Sequence, residues 1–275
     1  MNNSVVFKKS YVESRVGGDL LAELKEFPET RKLMKALMAD KELSDLINYA
    51  NVVAIKRLGY NDHGPVHARI VTKNSIKVLK FLREAGVPTS LEKEEIGTFE
   101  DSLNATMVAA YLHDVGMSVT RQEHEWHSVI LAERFVLKHL PSLYDSNGKV
   151  TWLKSLINEC IVGHMAAYKI NSLEAGVVLI ADGTDMSRGR SRIPTLLGRV
   201  PAPGDIHKYS ANSINRVEVV KGDKKPIRIN VLMDDATGLF QVEEVLMTKV
   251  TASPVMAHLE ICAKIEGQPE RFYLQ

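Results

Sequence analysis

Six histidine and aspartate side chains recur along the first two thirds of the chain at positions where they could hold a metal ion. They are His67, the adjacent pair His113 and Asp114, His124, His164 and Asp182. The adjacent pair ends the apolar helical pattern MVAAYLHDVG, where two buried polar groups would need a partner such as a divalent cation. Imidazole and carboxylate ligands suit Zn, Mn, Fe, Co or Ni, and this number of ligands can hold one ion or two. An aspartate can bridge two ions, whereas an imidazole serves only one.

The order of these residues resembles the H…HD…D signature of the HD-domain superfamily of metal-dependent phosphohydrolases, which is carried on a helical bundle. The matching positions are His67 in HGPVHARIV, His113 and Asp114 in YLHDVGMS, and Asp182 in LIADGTD. The resemblance covers roughly residues 50–200. It implies that these four residues bind a first metal ion and that Asp114 is the carboxylate that bridges to a second ion.

Two further histidines match the members of the superfamily that carry two metal ions. His124 begins HEWHSVILAE, with the small residue Ser128 four positions later, and His164 follows an apolar run in CIVGHMAA. The resemblance implies that both histidines bind the second ion. The neighbouring His127 is an alternative ligand at this position, and the sequence leaves that alternative open.

Such a centre would hydrolyse a phosphate ester, because two divalent ions activate a water molecule and clamp the attacking and leaving oxygens. His63 lies four residues before His67, so it shares a helix face with His67 if the helix has begun, and it could protonate the leaving oxygen. The segment HGPVHA is similar to the HNxxHA of cyclic-nucleotide phosphodiesterases, with Gly64 in place of asparagine. Met117 replaces the lysine of the cyclic-dinucleotide branch, which argues against that substrate.

A basic segment, GTDMSRGRSRIP, follows Asp182. Asp185 lies one helical turn beyond Asp182 and could orient a metal ligand or a water molecule. Three arginines alternate with small residues, and their guanidinium groups could bind substrate phosphate: Arg188, Arg190 and Arg192. We therefore expect the substrate to be a phosphomonoester or phosphodiester of a nucleotide-like compound. A di-iron oxygenase on the same fold and a non-catalytic module that senses a nucleotide are the alternatives.

Helices are the elements that would position these residues. Apolar spacing predicts helices within residues 1–60 and over 65–86, 102–114, 123–139, 151–168 and 172–186, whereas the polar residues 89–101 are typical of a surface loop. The segment VPAPGD predicts a boundary near residue 200. Strand patterns follow in INRVEVVKG, PIRINVLMDD, VMAHLEICAKIEG and RFYLQ, with a helical pattern in GLFQVEEVLMTKVTAS. The predicted fold class is mainly α, with an HD-type helical bundle in residues 1–200 and a small α+β domain in residues 205–275.

Composition narrows the class of protein further. The 275 residues are 45% apolar and 25% charged, which is enough to build a core without disulfides. A net charge of +1 argues against a nucleic-acid partner, and the apolar spacing of the C-terminal part favours a homo-oligomer. Cys160 and Cys262 predict buried thiols in a reducing compartment. Because no apolar run suits a signal peptide or a membrane span, we expect a cytoplasmic protein.

Overall fold

The computed structural model describes residues 10–188 and 206–275, and the chain there is mainly helical with one four-stranded sheet towards its C-terminal end. The longer helices before the sheet are α1 (Tyr11–Glu23), α2 (Pro28–Ala39), α3 (Lys41–Val52), α4 (Pro65–Glu84), α6 (Phe99–Leu112), α7 (His124–His139), α8 (Asn147–Gly163) and α9 (Leu173–Gly183). A short helix, α5, spans Ser90–Lys93. The coarse fold prediction, a mainly helical chain with a C-terminal α+β part, is confirmed. The segment VPAPGD lies outside the described residues.

The prediction of a surface loop over residues 89–101 is wrong in part. This stretch contains α5 and the first turn of α6, and each helix begins at a threonine that forms a capping box. Thr89 pairs with Glu92 in this way, and Thr98 pairs with Asp101. A threonine followed three positions later by an acidic residue is a local signal for the start of a helix. The overall polarity of this stretch favoured a loop instead.

Two buried helices form the centre of the helical part. Every residue of α9 is buried, and so is every residue of α6 except Glu100. Helices α4 and α8 each pack against both of them. Helix α9 and residues 107–112 of α6 are almost wholly apolar, which is typical of such an enclosed position. The polar groups that follow these helices therefore lie inside the protein.

The C-terminal part begins with helix Ile206–Ser213 and contains the strands β1 (Ile214–Lys221), β2 (Ile227–Met233), β3 (Leu259–Ile265) and β4 (Arg271–Leu274). The sheet order is β1-β2-β3-β4. The β1–β2 and β3–β4 pairs are antiparallel, whereas β2 and β3 are parallel. Parallel strands need a long crossover. Here the crossover contains the π-helix Gln241–Leu246 and the helix Met247–Ala252, which confirms the predicted helical pattern in this segment.

One apolar core joins the helical part and the sheet. Strands β1 and β2 pack against α4, and helix Met247–Ala252 packs against α9. Buried apolar residues of β2 and β3, among them Ile229 and Ile261, belong to the same apolar cluster as those of α6 and α9. Cys160 and Cys262 are both buried free thiols, as predicted. None of the described helices is long and apolar enough to cross a membrane.

Candidate metal centre

Five helix ends bring the six candidate ligands together. His113 and Asp114 follow the last residue of α6, His164 follows the last residue of α8, and Asp182 lies in the last turn of α9. The other two candidates, His67 and His124, lie in the first turns of α4 and α7. All six side chains are buried. The C-terminal ends of three helices bring partial negative charge to this point, and the N-terminal ends of two helices bring partial positive charge.

The first group of ligand atoms contains His67, His113, Asp114 and Asp182. The Nε2 atom of His67 is 3.1 Å from Asp114 Oδ2 and 3.3 Å from Asp182 Oδ1. The Nε2 atom of His113 is 3.2 Å and 3.7 Å from the same two oxygens. Two imidazole nitrogens and two carboxylate oxygens therefore face one another across a space of atomic size.

The second group contains His124, His164 and the other oxygen of Asp114. Asp114 Oδ1 is 3.1 Å from His124 Nε2 and 3.5 Å from His164 Nε2. The two imidazole Nε2 atoms are 3.0 Å apart. Asp114 thus presents one carboxylate oxygen to each group, and this arrangement is what a bridging carboxylate requires.

Hydrogen bonds at Nδ1 hold each of the four imidazole rings so that its Nε2 atom faces the carboxylate of Asp114. In His113, His124 and His164, the Nδ1 atom lies 2.6 to 3.0 Å from a backbone carbonyl oxygen to which an N–H can donate. In His67, Nδ1 lies 2.7 Å from Asp185 Oδ2. A ring that donates through Nδ1 keeps a lone pair on Nε2, and this is the tautomer that a metal-binding histidine adopts.

The short distances between Nε2 atoms support a cation at each group. His67 and His113 approach through these atoms to 3.1 Å, close to the 3.0 Å between His124 and His164. Two acceptor nitrogens repel each other at this distance unless a proton or a cation lies between them. Nitrogen ligands bound about 2.1 Å from a metal ion at right angles lie about 3.0 Å apart. Both pairs therefore have the spacing of neighbouring ligands.

The carboxylate of Asp114 has a buried oxygen that lacks a hydrogen-bond partner. Its Oδ2 atom is inaccessible to solvent and accepts no hydrogen bond of good geometry. Burial alone would raise the pKa of Asp114, but the neighbouring His113 and His63 outweigh burial and hold it well below the ordinary value. The carboxylate therefore favours its ionised form, and a cation would satisfy its buried Oδ2 atom.

The pKa values of His113 and His164 shift in opposite directions. Burial would lower the pKa of His113, but the carboxylates of Asp114 and Asp182 raise it to about 9. Burial lowers the pKa of His164 to about 4. The carboxylates of the first group therefore favour a positive charge beside His113, which a bound divalent ion would supply.

Close packing of the turn after Asp114 brings α7 to the site. A Cβ atom at Gly116 would lie 2.0 Å from the carbonyl oxygen of His124, so only glycine fits. The backbone N–H of Gly116 donates to Ser128 Oγ at 2.8 Å. Ser128, the small residue four positions after His124, thus binds the turn to α7. This contact places His124 beside Asp114.

Lys249 is a further charged group at the site, and it is absent from the residues that the sequence patterns predict. Its Nζ donates to Asp182 Oδ2 at 2.5 Å and to the carbonyl oxygen of His164 at 2.7 Å. Burial would raise the pKa of Asp182, but Lys249 and the histidines His113 and His67 hold it well below the ordinary value. Lys249 lies in a helical pattern 67 positions from Asp182, so no local motif marks it.

Two histidines singled out by sequence have different positions. His63 precedes α4, whose N-cap is Gly64, so the helix has not begun at His63 and the shared face with His67, which was conditional on that, does not form. Its ring nevertheless lines the cleft above the centre, with a centroid 5.7 Å from that of His67. His127 has its Nδ1 atom 3.0 Å from the carbonyl oxygen of Glu123 and belongs to neither group. The alternative that His127 replaces His124 is therefore not supported.

The arginine segment is described only at its start. The guanidinium of Arg188 is exposed and forms an ion pair with Asp234 at 3.1 Å, and Arg188 does not line the cleft. Arg190 and Arg192 lie outside the described residues. A different arginine lines the cleft, namely Arg121, which lies three positions before His124. Its guanidinium lies 5.6 Å from the centroid of the Tyr60 ring and 3.7 Å from Met165 Sδ.

A cleft of about 550 Å³ opens onto the centre. His63, Asp114, His164 and Asp182 line this cleft, and Lys249 lines it from the C-terminal part. Apolar and aromatic side chains also line the cleft: Leu58, Tyr60, Met165, Met186 and Val245. A cleft of this size suits a small molecule that combines a charged group with an apolar or aromatic group.

Asp185 should tune the affinity of the first group for metal through His67. We expect Asp185→Asn to weaken metal binding by about ten- to a hundredfold, because losses of this size follow removal of a carboxylate that orients a histidine ligand. Competition with a chelator measures this affinity. The exposed Asp45→Asn is the matched control, and an Asp185→Asn protein with the affinity of the parent would contradict the assigned role.

Comparison with known proteins identifies one relative of substantial similarity. The chain is 41% identical over 236 residues to the uncharacterized protein MJ1020 of Methanocaldococcus jannaschii, and the alignment covers 86% of this chain and 89% of that protein. No family model matches the chain, and no solved structure matches it.

Proposed function

This chain belongs to the family of the Methanocaldococcus jannaschii protein MJ1020, and we propose that it is a metal-dependent phosphohydrolase with two divalent ions. The proposed substrate is a phosphomonoester or phosphodiester of a nucleotide-like compound. The order of the ligands along the chain is similar to that of the HD-domain superfamily, and we assign the helical part to an HD-type bundle on this ground.

The two oxygens of Asp114 carry the proposal. One faces the Nε2 atoms of His67 and His113, and the other faces those of His124 and His164. A structural ion pair would be complete with one cation, whereas here four imidazoles converge on one buried carboxylate. Chemistry that needs two neighbouring divalent ions is the most direct use of such an arrangement.

The ligand set favours transition ions. We propose that His67, His113 and Asp182 hold the first ion, that His124 and His164 hold the second, and that Asp114 bridges them. Mixed imidazole and carboxylate ligands suit Mn, Fe, Co, Ni or Zn. When bound, two such ions supply Lewis acidity towards the phosphate and a lowered pKa for water.

His63 is the proposed general acid. It lines the cleft beside Asp114, and its Nδ1 lies 2.6 Å from the carbonyl oxygen of Asn61. The backbone N–H of His63 donates to Asn51 Oδ1 at 3.0 Å, which fixes the backbone here. With Nδ1–H directed at Asn61, a protonated His63 would pass its proton to the leaving oxygen from Nε2.

Arg121 is the proposed phosphate-binding residue in place of Arg188. It lines the cleft, and it forms no ion pair with a carboxylate in the part of the chain that the structure describes. A guanidinium group matches the geometry of phosphate oxygens. The Tyr60 ring beneath Arg121 and the nearby Met165 offer a surface for the organic part of the substrate.

A screen of phosphomonoesters and phosphodiesters with Mn, Co, Ni, Mg and Zn tests the proposal. We expect phosphate release or diester cleavage that depends on a divalent ion and is abolished by a chelator. His67→Gln should remove the activity, whereas His127→Gln, which changes a histidine outside both groups, should keep it.

Two outcomes of the screen would contradict the proposal. Absence of turnover with every ion and ester class would favour a module that binds a nucleotide without hydrolysing it. Coloured, iron-containing protein that consumes oxygen and leaves phosphate esters intact would favour a di-iron oxygenase.

A further inference from the structure

Lys249 reaches the centre from the C-terminal α+β part. It lies on helix Met247–Ala252, in the crossover between β2 and β3, and only 9% of the residue is exposed. A lysine is rarely this buried unless its charge is paired. Its partner is Asp182, a proposed ligand of the first ion, and it also donates to the backbone of His164, a proposed ligand of the second. One ammonium group thus contacts both halves of the centre.

The packing of the lysine stem fixes the position of the ammonium group. Its carbon chain runs along the end of α9, where a Cβ atom on Gly183 would lie 3.1 Å from Lys249 Cδ. Leu246 of the same crossover lies 3.3 Å from the same position, so both side chains pack closely against this glycine. The ammonium group is therefore held in place before any substrate binds.

The Lys249 ammonium group donates two hydrogen bonds within the protein and has a third N–H. An ammonium group carries three N–H donors, and Asp182 and the His164 carbonyl accept two of them. The residue also lines the cleft above the centre. A purely structural ion pair would be covered by the protein, whereas this one borders the space that the substrate would occupy.

We propose that Lys249 is a catalytic residue whose third N–H binds a phosphoryl oxygen of the substrate. This inference rests on the proposed phosphohydrolase function. The C-terminal part is then a portion of the active site, because the helical part by itself supplies no ammonium group at this point among the described residues. By holding Asp182 Oδ2, Lys249 also keeps Asp182 Oδ1 directed at His67 and His113.

The physical basis is a fixed positive charge beside the reacting phosphoryl group. A donor that is already oriented stabilises charge that develops on the phosphoryl oxygens without reorganising during the reaction. Arg121 lines the same cleft, so the phosphate would meet a guanidinium and an ammonium in addition to the metal ions. The substrate group that this arrangement favours is a dianionic or monoanionic phosphate with two or more unesterified oxygens.

Binding of inorganic phosphate to the manganese-loaded protein tests the proposal. We expect Lys249→Met to bind phosphate about ten- to a hundredfold more weakly than the parent, because one hydrogen bond from a charged donor is lost. Lys249→Gln serves as a second variant that retains a polar contact with Asp182. Lys264→Met is the matched control, since Lys264 lies on β3 of the same part and is half exposed. Calorimetric titration measures the affinity, and elemental analysis measures the bound manganese.

The possible results separate the inference from the function on which it rests. Weaker phosphate binding by both Lys249 variants, with manganese retained and Lys264→Met unchanged, would support the inference. Parent-like phosphate affinity in either folded variant would overturn it, and so would loss of manganese from both, which would assign Lys249 to holding the metal ligands alone. A parent protein that binds manganese but no phosphate would overturn the proposed function and the inference with it.

Discussion

Replacing Asp114 by asparagine should prevent the two metal ions from binding together and reduce turnover by on the order of a thousandfold or more. The carboxylate gives one oxygen to each group of ligands, whereas an asparagine amide offers one oxygen and turns an NH₂ donor towards the other group. Lewis-acid stabilisation by bound ions is worth several kcal/mol, and each 1.4 kcal/mol is about tenfold in rate. Elemental analysis and the rate on the best substrate of the screen measure the two effects.

The control for this variant is an aspartate outside the site. Asp145 is exposed in the segment before α8, and Asp145→Asn should keep the metal content and the activity of the parent. Circular dichroism should show the same helical content in both variants, because the site lies at helix ends. An Asp114→Asn protein that still held two ions would show that Asp114 does not bridge them.

Replacing His124 and His164 together by glutamine should halve the metal content and remove most of the activity. Both histidines contact Asp114 through its Oδ1 atom, and neither shares the oxygen that faces His67 and His113. The first group therefore keeps its four ligands while the second keeps only one. Chelator titration followed by elemental analysis counts the ions that remain.

His127→Gln is the matched control for the double variant because His127 lies on the same helix as His124, outside both groups. It should bind as much metal as the parent. Full stoichiometry in the double variant would show that the two histidines are ordinary buried side chains, and loss of all metal would show that the groups do not act independently.

The sequence predicts most of the elements that form the centre because their signals are local. The apolar spacing of α4, α6 and α7 marks these helices, and the pair His113 and Asp114 stands out as polar residues at a buried helix end. The spacing of one helical turn from Asp182 also predicts that Asp185 orients a metal ligand or a water molecule. The structure places the Asp185 carboxylate 2.7 Å from His67 Nδ1.

The remaining features depend on contacts between distant parts of the chain. Lys249 meets Asp182 only because the C-terminal crossover packs on α9, and no spacing within either segment signals that contact. Arg188 lies six positions after Asp182 in the sequence, yet it forms an ion pair with Asp234, which directly follows β2. Helix α8 also ends at Gly163, earlier than its apolar pattern predicts, so His164 lies at a helix end and turns its Nε2 towards Asp114.

Anomalous X-ray scattering at the manganese absorption edge, from crystals grown with Mn²⁺, tests the central claim most directly. We expect two anomalous peaks, one contacting His67, His113 and Asp182 and the other contacting His124 and His164, with one oxygen of Asp114 on each. Crystals with Mn²⁺ supplied that show no peak at these residues, or a single ion that leaves either group empty, would contradict the two-ion centre.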